Sequence, residues 1–167
     1  MSATGEREAW SELARNAARR GEEEASEELR QLLSFDVAGG SYALPVECVR
    51  EIVRLRPITP IPRAPADVQG VISLRGEIVQ VVDLRRRLCA EPAAPTRRSR
   101  IVVVQAEDAG VAGLLVDGVR EVLRIASSDL LSPAGGDAGM VAALCRRGGA
   151  FVSLIDLERV LDLHAGH

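Results

Sequence analysis

The chain has 167 residues, room for one domain or two small packed ones, and its 47% hydrophobic content with only 2% aromatics calls for an aliphatic core. A net charge of −3 and the scarcity of rings on which bases could stack exclude a nucleic-acid footprint. All 21 basic residues are arginine, which removes Walker-type nucleotide binding and protein-kinase chemistry, since both place a lysine on the phosphates.

Residues 1–31 are rich in Ala, Glu and Arg and read as an N-terminal extension, helical or disordered, with Trp10 and Leu13 at weakly amphipathic spacing. From Leu32 the texture changes to short apolar runs punctuated by Gly, Pro and Asp, the pattern of many short strands. "LLSFDV-AGG-SYALPV" predicts a hairpin, and "VISL-RG-EIVQVV" predicts a second one turning at Arg75-Gly76. "DLRRRL" then predicts one helical turn with Asp83 as its N-cap, followed by the loop "EPAAPTRRS". "RIVVVQAEDAGVAGLLV" predicts a third hairpin, about residues 107–110.

Two segments of this series are written twice. "VECVREIVRL" from Val46 returns as "VDGVREVLRI" from Val116, 70 positions on, and "RGEIVQVVDLRRRL" from Arg75 returns as "GGAFVSLIDLERVL" from Gly148, 73 positions on. Matched segments in the same order at nearly the same offset predict an internal duplication, with pseudo-repeats at about 32–99 and 100–163 and a tail at 164–167. A unit of this size buries too little alone, so the copies should pack together or exchange strands. Sharp glycine turns between short strands favour small closed barrels, and the fold expected is all-β, with two barrel-like subdomains and short helical segments.

Catalytic residues are not expected. His164 and His167 lie in the last four residues, and Asp83 and Asp156 occupy equivalent cap positions, which explains them without acid–base chemistry. Cys48, Cys89 and Cys145 are far apart and suit reduced residues rather than a disulfide or metal set, so no cofactor and no metal is expected. No apolar run approaches the roughly 20 residues of a membrane span, and the expectation is a cytoplasmic protein without direct membrane insertion.

The runs "YALPVECVREI", "ITPIPRAPADVQGVISLRGEIVQVVDLRRRL" and "GLLVDGVREVL" resemble the CheW family of bacterial chemotaxis adaptors, over Leu32 to Leu163. The resemblance implies two SH3-like five-stranded β-barrels with a groove between them. One barrel would bind the regulatory domain of a CheA-type histidine kinase, and the groove would bind the cytoplasmic hairpin tip of a chemoreceptor, at membrane-associated receptor arrays. It places the family's motif glutamate on Glu51 and its motif arginine on Arg75, with Gly76 as the turn glycine, and implies that the two charges pair beside the receptor-binding surface. Val49 and Ile52 around Glu51, and Val71 and Ile78 around the turn, are the candidate apolar contacts, each equally an ordinary core-facing strand residue.

Three departures from the family pattern stand out: Ser73 for Asn, Gln80 for Pro, and the long arm. The implied function is a non-enzymatic scaffold coupling methyl-accepting receptors to the kinase. The alternative is an adaptor of a non-flagellar pathway (gliding, pili or development), with a dedicated partner on the arm. In the second copy Gly148 stands where Arg75 stands in the first, so Glu121 lacks the equivalent partner unless Arg146 or Arg147 supplies one.

Overall fold

The computed structural model describes residues 8–16, 29–133 and 139–162. The expected tail at 164–167, and residues 1–7 and 17–28 of the arm, lie outside them. Residues 8–16 form helix α1, all of it exposed. Strands β1 (Leu29–Val37), β2 (Gly40–Pro45) and β3 (Val49–Arg54) follow, with a single 3-10 turn at Val46–Cys48 between the last two. Next come β4 (Val68–Leu74), β5 (Glu77–Asp83) and helix α2 (Leu84–Arg87). The second copy runs β6 (Arg100–Ala106), β7 (Gly110–Val116), β8 (Gly118–Ala126), β9 (Leu130–Leu131), β10 (Val141–Arg147), β11 (Ala150–Ile155) and α3 (Leu157–Leu161). Strand β1 opens three residues before the expected boundary at 32, because Leu29, Arg30 and Gln31 pair with the end of β8.

The described strands form two sheets, and neither belongs to one copy. One has the order β3-β6-β7-β5-β4 and the other β8-β1-β2-β11-β10-β9. Of the two arrangements open to the duplicated unit, strand exchange is the one adopted. Each copy sends its first hairpin into the other copy's barrel, and the exchanged hairpin joins there through equivalent contacts. Strand β6 lies antiparallel to β3 and β7 parallel to β5. Likewise β1 lies antiparallel to β8 and β2 parallel to β11. Barrel 1 is therefore β3–β5 with β6–β7, and barrel 2 is β8–β11 with β1–β2. The sixth strand of the barrel 2 sheet is two-residue β9, pairing Leu131 with Leu144 where barrel 1 has the isolated bridge of Thr59 with Val71.

Exchange explains why β1 and β6 are spelled as nearly unbroken apolar runs instead of alternating ones. Both faces of each are covered. Ile101 and Val103 of β6 point into barrel 1 with Ile72, Leu74, Val79 and Val81. Val102, Val104 and Ala106 point the other way, into a central core shared with Leu33, Phe35 and Val37 of β1. Leu32, the next residue of β1, faces barrel 2 with Leu123, Ile125 and Cys145. The central layer also takes Leu84 of α2 and Leu157, Val160 and Leu161 of α3, so both helical turns seal the seam between the barrels. Full burial of each such aliphatic side chain contributes about 1.5–3 kcal/mol, so the seam is a principal source of stability.

The helical turns are capped as expected. The Asp83 carboxylate accepts from the Arg85 N–H at 3.1 Å and the Asp156 carboxylate from the Arg159 N–H at 3.3 Å. Arg87 is a difference from the duplication, since the matching residue is the fully buried Val160. Its buried guanidinium donates to the carbonyls of Val160 at 2.8 Å, Arg159 at 2.7 Å and Asp162 at 3.3 Å, and meets Asp67 at 3.2 Å. It thereby caps the carbonyls at the end of α3 and ties the two copies together.

Candidate functional site

The repeated Val-Arg-Glu encodes a β-bulge. On β3 the register passes from Val49 opposite Val104 to Glu51 opposite Val103, leaving Arg50 as the extra residue. The same irregularity recurs where β8 passes Val119 opposite Phe35 and Val122 opposite Leu33. A bulge re-aims the side chains beside it, and here it presents Arg50, Glu51 and Ile52 at the open end of barrel 1.

The turn between β4 and β5 brings the partner. Arg75 and Gly76 have φ of 51° and 83°, the two left-handed residues of a type I′ hairpin turn. The Arg75 guanidinium reaches Glu51, with Nε 3.3 Å from Oε2 and Nη2 donating to Oε1 at 3.4 Å. The Arg75 side chain is 80% exposed and that of Glu51 29%, so the pair contributes only about 0–1 kcal/mol to stability. Around it lies a small cleft of about 100 Å³, lined by Arg50, Glu77, Leu74 and Val79 as well as the pair itself.

The candidate apolar residues separate. Ile78 is 75% exposed and Ile52 41%, and both present side chains to solvent. Val49 is half-buried and packs its inner side against the central core. Val71 is half-buried, opposite Gln80 on β5 and bridged through its backbone to Thr59 at 2.9 Å in both directions. Gln80 lies on a strand flanked by both β4 and β7, a central position in which a backbone N–H is useful. Ser73 is exposed beside the turn, and its carbonyl accepts from Arg56 at 3.3 Å.

Barrel 2 offers no copy of the ion pair. Its corresponding turn is Gly148-Gly149, with φ of 57° and 87°. Neither Arg146 nor Arg147 takes the place of Arg75: Arg146 lies over the Phe151 ring at 5.5 Å, and Glu121 has no ion pair among the described residues. What barrel 2 has instead is Arg120, whose Nε donates to both Asp36 oxygens at 2.7 and 2.9 Å.

Two grooves run between the barrels. One, of about 320 Å³, is lined by Ile52, Arg98, Arg100, Gly118 and Val119. The other, of about 560 Å³, lies between Gln80, the β6–β7 turn and α3. Arg98 and Arg100 were absent from the expected site because they sit in an arginine-rich loop and at a strand start, where only the fold shows that they face Ile52. Beside the first groove, Arg85 grips Asp117 at 3.0 and 2.7 Å. Burial pushes the Asp117 carboxyl upward, but the Arg85 hydrogen bonds and the Ala38 N–H at 2.7 Å outweigh it and hold the group below the ordinary carboxylate value. Burial also raises the Cys48 thiol, helped by Glu47 and Glu158, and none of the three cysteines is bridged.

The bulge thus turns Glu51 toward a left-handed Arg75, beside a groove between the exchanged barrels. The profile of the CheW-like domain matches residues 31–165. The chain belongs to the CheW-like domain family. It is 42% identical over 101 residues to Chemotaxis protein CheW of Rhizobium meliloti, covering 60% of this chain and 64% of that protein. A probable chemotaxis protein CheW of Rhizobium etli is matched over 66% of its length, so for both relatives the match spans a little under two thirds. Chemotaxis protein CheW of Treponema pallidum is 27% identical over 82% of this chain and 85% of its own. The crystal structure of scaffolding protein TtCheW from Thermoanaerobacter tengcongensis superposes with a TM-score of 0.71 at 30% identity, over 75% of this chain and 88% of that one. The chain thus shares the fold of a CheW scaffold. Among the described residues no helix is long and apolar enough to cross a membrane.

Proposed function

We propose that this CheW-like protein is a non-enzymatic adaptor that couples methyl-accepting chemoreceptors to a CheA-type histidine kinase in bacterial chemosensory arrays. The receptor's cytoplasmic hairpin tip would be met by Glu51, Arg75, Gly76, Ile52 and Ile78 with the adjoining groove, and the kinase regulatory domain by a barrel surface. One observation carries the reading. Arg75 is a non-glycine residue in left-handed backbone, where the sister turn uses Gly148. Such strain costs on the order of 1 kcal/mol and also occurs at Ala38, Arg63 and Cys89; at Arg75 it comes with a side chain 80% exposed and aimed at Glu51. The exposed pair with Glu51 offsets little of it and is better suited to orienting a partner than to stabilising the fold.

The test is kinase activation reconstituted from receptor fragment, kinase and this protein. Arg75→Gly keeps the turn geometry and Arg75→Glu reverses the charge, and both are expected to abolish receptor-dependent activation with unchanged circular dichroism. Full activation by Arg75→Gly would falsify the role of this corner. A second reading, an adaptor of a non-flagellar chemosensory pathway with its own partner on the arm, draws support from α1, whose Trp10 is 72% exposed. The 36% identity over 110 residues to Protein FrzA of Myxococcus xanthus, a relative not named CheW, is in keeping with it. A pull-down from the native cell with the full chain and with Trp10→Ala separates the two.

A further inference from the structure

The chain carries a net charge of −3, yet the groove beside Ile52 concentrates arginine. Arg98 and Arg100 line it, and Arg54 stands directly opposite Arg100 across the β3–β6 pair. Like charges opposed across strands are destabilising, and neither Arg54 nor Arg100 has a carboxylate partner among the described residues. Arg100 turns its Nη1 to its own loop, donating to the carbonyls of Arg97 at 2.7 Å and Ser99 at 2.8 Å. Arg98 rests against Gly118 and reaches Asp36 only at 3.6 Å, with its side chain 73% exposed. Asp36 is already engaged by Arg120 at 2.7 Å, so one carboxylate serves two guanidiniums while two others go without. Ile52 and Val119 supply the apolar side chains of the groove lining.

We infer that this groove is specific for an amphipathic helix flanked by carboxylates: the helix lays an apolar row on Ile52 and Val119 and brings Glu or Asp side chains to Arg54, Arg98 and Arg100. This rests on the reading of the groove as the receptor-facing surface and adds to it a selectivity of this chain's own, acidic over neutral receptor tips. The apolar part of the lining favours a protein helix over a free anion, because a helix supplies apolar residues at i, i+3, i+4 and i+7 with charged residues beside them. Guanidiniums suit the role because their planar fork receives a carboxylate through two parallel hydrogen bonds.

The test uses the full chain and two helical peptides with the same leucine row, one flanked by Glu and the other by Gln. The Glu peptide is expected to bind about tenfold more tightly at low salt, with the advantage shrinking to about threefold or less when NaCl rises from about 50 to about 500 mM. The Arg98→Gln/Arg100→Gln double variant, with circular dichroism unchanged, is expected to lose the same advantage. Equal binding of the two peptides, or binding of neither, overturns the inference. In the kinase assay, loss of activation by Arg75→Gly with full activation by the double variant also overturns it, and leaves the coupling role standing. Full activation by Arg75→Gly removes the coupling role instead.

Discussion

Barrel 1 and barrel 2 are built from the same plan, and where they part company is instructive. Both have the bulge at Val-Arg-Glu, both close a type I′ turn between their last two strands, and both accept a hairpin from the other copy. Barrel 2 fills its turn with Gly148-Gly149, the relaxed choice, and anchors its bulge internally through Arg120 and Asp36. Barrel 1 places Arg75 in the strained position and extends it over solvent to Glu51. Features shared by the copies serve the fold, and features that differ divide between residues buried in one half, such as Arg87, and residues extended over solvent, such as Arg75.

Arg87 gives the largest test of that division. Its counterpart Val160 is an ordinary core residue, whereas Arg87→Ala strips hydrogen bonds from three carbonyls and an ion-pair partner from Asp67. The expected loss is about 3 kcal/mol, read as a fall in the urea midpoint. Next comes Gly70, which pairs with Val81 as Ala143 pairs with Leu154. A Cβ on Gly70 would lie 2.1 Å from the Thr59 carbonyl oxygen, at φ of 144°. Gly70→Ala should therefore cost about 2 kcal/mol through strain and the broken bridge, while Ala143→Gly in barrel 2 costs about 0.5–1 kcal/mol from backbone entropy alone.

A smaller effect follows from Asp117, whose carboxyl is held below its ordinary value. A lowered folded-state pKa means that the contribution is complete above the unfolded value and disappears as pH falls through the folded one. Wild type should therefore lose more stability than Asp117→Asn as the pH falls below the ordinary carboxylate range, read as a steeper fall of the denaturation midpoint. The smallest effect is expected at the proposed contact itself. Arg75→Gly relieves left-handed strain and forgoes a solvent-exposed pair, so its stability should change by less than about 1 kcal/mol. A large loss there would move Arg75 from the functional column to the structural one.

Much of this was legible in the chain. Turn glycines, cap aspartates and the two offsets located two hairpins and one helical turn in each copy, because those signals are local and stereochemical, but not the short pairing of β9 with β10. The family resemblance implied the pair of Glu51 with Arg75 that the structure holds. Exchange remained one of two options, since a run such as "RIVVVQA" announces burial on both faces without saying which core each face meets. Arg87 reads as one more charge on a polar helical turn, and Arg98 as loop. Only the approach of distant elements turns the first into a clasp and the second into a groove wall.

The crossing of the hairpins bears on ancestry. A single copy of the repeat holds three or four strands of one barrel and a hairpin that sits in the other. Standing alone, such a peptide closes nothing. Two copies meeting as separate molecules would complete both barrels at once by reciprocal domain swapping, giving a twofold dimer. The segment from Leu88 to Ser99 then reads as the tether that made a two-molecule assembly one gene product. With both halves on one chain, each can differ alone, and one turn holds an arginine where its twin holds glycine.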